Sequence, residues 1–152
     1  DGTAEPVDII AVHSLNGNPY STWTHPANGS MWLKDILPSY VPGARVFTFG
    51  YASRTVRNPL IATVPDFARA LLDSLRNLRQ EGSERATIFV CHGLGGIVCK
   101  QALVFAHLDQ KRSGAVLDSN VGVVFLGAPH SGSSLVDVEG TIGRVINILS
   151  AT

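Results

Sequence analysis

The sequence predicts an α/β domain in which a mostly parallel sheet carries helices on both faces. Four short apolar runs of strand length recur along the 152 residues, at positions 7–12, 45–51, 86–91 and 121–126. Stretches with apolar residues at helical spacing separate them, and this alternation is typical of parallel sheets. Because no internal repeat, linker or low-complexity segment interrupts the pattern, we interpret residues 1–152 as a single domain.

The composition is that of a globular protein, with 45% hydrophobic and 16% charged residues. Twelve basic residues balance twelve acidic ones, which gives no electrostatic basis for binding nucleic acid or an anionic membrane. No apolar run approaches the roughly 20 residues of a membrane span, and the start lacks the features of a secretory leader. Cys91 and Cys99 do not form a disulfide framework. We therefore expect a cytoplasmic protein without a transmembrane segment, and no motif requires a cofactor.

The clearest helix is predicted over residues 64–80. Thr63 can cap its start, and Pro65 falls in the first turn, where a missing amide costs nothing. The apolar stripe consists of Val64, Ala68, Leu71, Leu75 and Leu78.

The other segments are less regular. Residues 14–30 are rich in Asn, Gly, Pro and Ser and are predicted to form a long loop. Residues 31–37 have helical spacing, and Pro38 is expected to end that helix. Residues 97–106 continue as a helix, residues 109–120 read as a polar connection, and residues 142–149 open a further helix.

The segment 86–106 carries the strongest functional pattern. An apolar strand meets the turn His92-Gly-Leu-Gly-Gly96 and continues as a helix. This arrangement matches the nucleophile elbow of serine hydrolases, Gly-x-Ser-x-Gly, in which the serine at the apex attacks the substrate. Here the apex is Gly93. The sequence therefore predicts the scaffold of an acyl-transfer site without its attacking oxygen.

Glycine- or proline-marked turns follow three of the predicted strands. They begin at His13, His92 and Gly127. In open parallel sheets the functional loops lie beyond the carboxyl ends of the strands. We therefore expect the candidate site where these turns converge.

Five motifs occur in a fixed order along the chain: His13-Ser-Leu-Asn-Gly17 with Thr22-Trp23, Trp32-Leu-Lys-Asp-Ile-Leu-Pro38, Arg45 with Phe49-Gly-Tyr51, His92-Gly-Leu-Gly-Gly-Ile-Val-Cys-Lys-Gln-Ala-Leu103, and Phe125-Leu-Gly-Ala-Pro-His-Ser-Gly-Ser133. As a set they resemble the lipase-like branch of the α/β-hydrolase superfamily. That branch is the serine-active-site protein and GPI inositol-deacylase type, which also occurs at the N-terminus of fungal NLR-like signalling proteins.

The resemblance implies an α/β-hydrolase-like fold, incomplete at its C-terminus, because the family's catalytic acid and histidine come after the last strand predicted here. It assigns position 93 to the nucleophile, with His92 preceding it. It places an oxyanion hole at the amide of Leu94 and one amide from Ser14 or Leu15. Two departures stand out: Gly93 replaces the family's serine, and Ser14 replaces its glycine.

Taken together, the motifs indicate a serine ester hydrolase domain of the lipase or esterase type, directed at a lipid or other ester. Because Gly93 replaces the nucleophile, we expect it to be inactive or nearly so. Whether that glycine is natural or engineered is left open, and glycine would relieve backbone strain at the apex. The alternative is a non-catalytic regulatory or protein-interaction module of a larger signalling protein, with partner domains in the longer chain.

Ser14 and Cys91 are the other candidate nucleophiles. Ser14 could be a relocated nucleophile, but we expect a solvated loop serine. Cys91 is expected to be a buried apolar residue, as is Cys99.

Several further residues have both a functional and an ordinary structural interpretation. His13, His92 and His130 could bind zinc, but their spacings match no metal motif, so we expect them to bond to backbone in their turns. We expect Trp23 and Trp32 to pack in the core rather than form a lid. Arg54 and Arg57 are expected on a solvated face.

Overall fold

The computed structural model describes residues 6–14, 16–52, 63–80 and 85–128. Within them lie four strands: β1 at Val7–Val12, β2 at Arg45–Phe49, β3 at Ala86–His92 and β4 at Asn120–Leu126. They form one sheet in the order β2-β1-β3-β4, and every neighbouring pair is parallel. The predicted parallel sheet is confirmed, with strand ends shifted by one or two residues.

The register brings the carboxyl ends of the strands to one edge. Val12 at the end of β1 pairs with Phe49 of β2 and with Cys91 of β3, and His92 pairs with Leu126 of β4. The turns that follow β1 and β3 therefore start side by side.

The described helices are α1 at Trp32–Asp35, α2 at Leu37–Tyr40, α3 at Val64–Gln80, α4 at Leu94–Leu108 and α5 at Gln110–Ser119. A short 3₁₀ helix at Ser21–Trp23 and a bridge between Thr24 and Met31 give the predicted loop some regular structure. The predicted helix at residues 142–149 lies outside the described residues.

The prediction that Pro38 ends a helix was wrong. The backbone breaks two residues before Pro38, at Ile36, and Pro38 sits in the first turn of α2. Proline is tolerated there because amides in the first turn have no partner within the helix.

The predicted polar connection over residues 109–120 was also wrong, because most of it is α5. Val116 and Ser113 are buried under this helix. The Arg76 guanidinium donates a 2.8 Å hydrogen bond from Nε to Ser113 Oγ, which ties α5 to α3. These buried positions stabilise a helix whose composition alone is mostly polar.

The start of α3 follows the sequence prediction. The Thr63 carbonyl accepts the amides of Asp66 and Phe67, and the Asp66 carboxylate accepts the Thr63 amide and hydroxyl, each at 2.7 Å. This reciprocal pairing satisfies groups that a helix start leaves unpaired.

Apolar side chains alternate between the two faces of the sheet. Ile10, Val12, Phe89 and Cys91 pack against α3, α4 and α5. Ile9, Ala11 and Val90 pack on the other face against Leu33 of α1 and Trp23. Both faces of the sheet are therefore covered, as an α/β fold requires.

The amino end of the sheet is fixed by a buried carboxylate. Asp8 has no exposed side-chain surface and accepts bonds of 2.7–2.8 Å from Arg45 and Arg85. Burial alone would raise the pKa of Asp8, but the two guanidinium groups outweigh it and hold this pKa below its ordinary value. Across the described ranges, no helix has the length and apolar character to cross a bilayer.

Candidate functional site at the turn between β3 and α4

Gly93 forms the sharp bend that joins β3 to α4. Its φ of 51° and ψ of −122° lie outside the regions that residues with a side chain favour. The Gly93 amide donates to the Leu126 carbonyl of β4 at 2.9 Å, and its carbonyl accepts the Gly96 amide at 3.1 Å. The bend predicted at position 93 is therefore present, and it is held from the neighbouring strand and from the helix it starts.

The first turn of α4 lies directly against the end of β1. A side-chain carbon at Gly95 would overlap the Val12 carbonyl oxygen and lie 2.6 Å from the His13 carbonyl oxygen. A side-chain carbon at Gly96 would lie 2.7 Å from the Ala128 side chain. Both glycines are required because backbone and side chains approach too closely for any larger residue.

Ser14, two residues after the end of β1, reaches into this bend. Its hydroxyl oxygen accepts the Leu94 amide at 3.0 Å. A side-chain carbon placed on Gly93 would overlap the same oxygen and lie 2.8 Å from Ser14 Cβ. Ser14 is half-buried rather than the solvated loop serine that we expected, because its hydroxyl is bonded to the amide at the start of α4. The Leu94 amide, which the resemblance assigns to an oxyanion hole, is engaged by a side chain of the protein.

His13 precedes Ser14 and is fully buried. Its Nδ1 donates to the Ser14 carbonyl at 2.9 Å, while its Nε2 accepts the Tyr51 amide at 3.4 Å. Burial lowers the pKa of His13, and the bond to Ser14 opposes this only in part. The bonds of this ring to the backbone are what the sequence led us to expect of His13.

Gly17 closes the same turn. Its amide donates to the Ser14 carbonyl at 3.0 Å. An added side-chain carbon would lie 2.8 Å from that carbonyl oxygen and 2.8 Å from Thr22 Oγ1. The turn after β1 is therefore compact, and its hydrogen bond holds the backbone of Ser14.

His92 lies on the opposite side of the bend and is exposed. Trp23 packs edge-on against it, with ring centroids 6.4 Å apart, and also against Trp32 at 6.1 Å. Trp23 is buried, as predicted, whereas Trp32 is half-buried and lines a cavity of about 410 Å³ with Thr22, His25 and Ile36. Trp23 therefore contacts His92 of the elbow and also lines this aromatic cavity.

Cys91 and Cys99 are fully buried beneath the bend. A hydrogen bond with Cys91, together with burial, raises the pKa of the Cys99 thiol. The Cys99 thiol is thus held in the unreactive protonated form. The burial of both cysteines agrees with the prediction that they belong to the core.

The part of the chain that the structure describes contains no group of three histidine, cysteine or acidic side chains placed to hold a metal ion. His13 is buried against Tyr51, whereas His92 is exposed and packs against Trp23. Leu15, His130, Arg54 and Arg57 lie outside the described residues, so the interpretations that rest on them stay predictions.

Tyr51 was not predicted to belong to this site, although it ends the Phe49-Gly-Tyr51 motif. The Tyr51 hydroxyl donates to the His13 carbonyl at 2.6 Å, and burial raises its pKa. One signal could have revealed this contact. Tyr51 lies two residues past the end of β2, and His13 directly follows the neighbouring strand β1.

The fold and the turn together define a hydrolase-like domain with the α/β-hydrolase architecture. Among solved structures, the chain is similar to the lipase BlEst2 of Bacillus licheniformis in its mature form. The TM-score is 0.57 at 25% identity, over 91% of this chain and 46% of that one.

Among curated proteins, it is similar to Protein SERAC1 of Bos taurus and of Homo sapiens. Each is 24% identical to this chain over an alignment 162 residues long, and that alignment covers 92% of this chain. The chain spans about a quarter of the length of these relatives, 24% in each case. No protein-family model matches it.

Proposed function

We propose that this chain is a serine-ester-hydrolase domain, of the type that acts on a lipid or other ester, in which acyl transfer at the turn between β3 and α4 has been lost. One observation carries the proposal: the apex of the bend is Gly93, which supplies no nucleophilic oxygen. Removing the serine of a catalytic triad lowers turnover by about a million-fold. We therefore expect a domain that keeps the hydrolase framework and performs little or no ester hydrolysis.

The backbone around Gly93 supports this proposal. Its positive φ and its bond to the Leu126 carbonyl reproduce the strained turn on which an elbow nucleophile is displayed. The likeness to a bacterial lipase over 91% of the chain adds support for a hydrolase framework.

The test measures hydrolysis of p-nitrophenyl acetate and butyrate by the purified protein, together with labelling by a fluorophosphonate followed by intact mass. The Bacillus licheniformis lipase serves as the positive control, and the heat-unfolded chain sets the background. We expect rates at background and no mass increase. Turnover well above background, or a covalent adduct on any serine, would contradict the proposal.

A second candidate is a non-catalytic regulatory or interaction module within a larger cytoplasmic signalling protein. The observation in its favour is that the similar SERAC1 proteins are about four times as long as this chain. Replacing Ser14 by glycine and Gly93 by serine together, in the longest available form of the chain, separates the two candidates. Regained hydrolysis supports the hydrolase framework, whereas continued inactivity of a folded variant supports the module.

A further inference from the structure

The missing side chain at Gly93 and the extra side chain at Ser14 are related in space. The side-chain carbon that any residue other than glycine would place at position 93 overlaps the Ser14 hydroxyl oxygen. Ser14 Cβ lies only 2.8 Å from the same point. Two heavy atoms of one residue therefore occupy the volume from which an elbow nucleophile would project.

The same hydroxyl also occupies the hydrogen-bonding position next to that volume. The Leu94 amide is the first of α4, so it has no acceptor within the helix. Ser14 Oγ accepts it at 3.0 Å, within the range expected of an oxyanion-hole contact. With this bond in place, the amide is not free to stabilise charge on a substrate.

Ser14 cannot easily move away. The flanking carbonyl of Ser14 accepts both His13 Nδ1 and the Gly17 amide, and His13 is in turn fixed by Tyr51. Rotation of the hydroxyl away from the bend would leave Ser14 Cβ in place, still too close to a side chain at position 93. The contact is therefore a property of the folded turn rather than of one rotamer.

We propose that Ser14 is a built-in block of the elbow: it fills the space of the absent nucleophile and takes up the backbone amide that would serve the reaction, so a side chain can return to position 93 only when Ser14 is removed. This inference deepens the proposed function and rests on it, since it describes the same site. It also predicts that substitutions at positions 14 and 93 have non-additive effects on stability, which melting temperatures can measure.

The first experiment introduces Gly93→Ala into the otherwise unchanged chain and into a chain that carries Ser14→Gly. Backbone strain at positive φ is the same in both backgrounds, so the difference between the two losses of melting temperature reports the overlap with Ser14. We expect the loss to be larger by at least about 4 °C when Ser14 is present. Gly29→Ala is the matched control, because Gly29 also has positive φ, at 70°, but has nothing within 4 Å of an added carbon. Equal losses in the two backgrounds would overturn the proposal.

The second experiment keeps the proposal testable even if Gly93→Ala does not fold. It measures amide hydrogen exchange in Ser14→Ala, which removes the hydroxyl and retains the carbon. We expect exchange at Leu94 to accelerate at least about tenfold, while the Gly96 amide, bonded to the Gly93 carbonyl, keeps its rate. Unchanged exchange at Leu94 would show that Ser14 does not engage the amide and would overturn the block.

Two results distinguish failure of the block from failure of the proposed function. A fluorophosphonate adduct on Ser14 in the unmutated protein would overturn both the block and the proposed loss of activity. Equal melting losses with an inactive unmutated protein would overturn the block alone.

Discussion

The ring of Tyr51 stacks on the ring of His13, with centroids 4.3 Å apart and planes 6° from parallel, while the Tyr51 hydroxyl bonds to the His13 carbonyl. This double contact joins the segment after β2 to the end of β1. It holds the backbone from which Ser14 reaches the elbow. Tyr51 also contacts Phe67 of α3, at a centroid distance of 4.6 Å, so the turn is tied to the main core.

Tyr51→Phe is expected to lower the free energy of unfolding by about 1–2 kcal/mol. The stacked ring remains, but a carbonyl of the buried His13 loses its hydroxyl donor. Urea denaturation measures the change. Tyr40→Phe, at an 80% exposed position, should shift the midpoint very little, and a similar loss in both variants would argue against the contact.

Stability should fall as the pH drops below about 6.5 because of His13. Its folded-state pKa is lowered by burial, so the folded protein favours the neutral ring. The stabilisation is complete above the unfolded-state pKa of about 6.5 and is lost as the pH falls through the lower folded-state pKa. One such group contributes at most about 1.4 kcal/mol per pH unit.

Unfolding free energies at pH 7.5, 6 and 5 check this expectation. His13→Gln should flatten the dependence, whereas His107→Gln, at an exposed position of α4, should leave it in place. A slope that survives in His13→Gln would assign the effect to other groups.

Gly95→Ala is expected to cost about 3 kcal/mol or to prevent folding. The added carbon would meet the carbonyl groups of Val12 and His13. Because these are backbone groups, they cannot move aside as a flexible side chain can. Gly114→Ala is the matched control in α5, where nothing lies within 4 Å, and it should be neutral or stabilising by up to about 1 kcal/mol. Thermal and urea unfolding compare the two; equal effects would contradict the close approach of α4 to β1.

Asp8→Asn should destabilise the protein by about 3 kcal/mol. The substitution keeps the shape of the side chain but leaves the Arg45 and Arg85 guanidinium groups without their shared buried carboxylate. Asp73→Asn, which removes an ion pair whose carboxylate is 66% exposed, should cost less than about 1 kcal/mol. Denaturation at pH 7 measures both, and a small effect at Asp8 would mean that its ion pairs contribute little.

Local patterns were sufficient to predict the strands, helix α3 and the bend at Gly93. β1 is buried on both faces and is apolar apart from Asp8, and Thr63 with Pro65 marks the start of α3. α5 was missed because its stabilisation comes from contacts such as Ser113 with Arg76, which local spacing does not encode. Pro38 was misread because proline is compatible with the start of a helix as well as with its end.

The candidate site was predictable only in part. The apex at Gly93 follows from counting within a motif, but the contact of Ser14 with Leu94 joins residues far apart in the chain. Its geometry depends on how closely β1 and α4 approach, which is set by Gly95 and by the register of β1 with β3. No single-sequence pattern reports that distance.

The overlap between positions 14 and 93 also limits how this turn can be redesigned. A serine placed at position 93 alone meets the side chain already present at position 14, so the cost in folding comes before any gain in activity. Glycine at both positions is sterically open but supplies no nucleophile. Position 14 therefore has to be changed before position 93 or together with it, and the geometry of the turn sets that order.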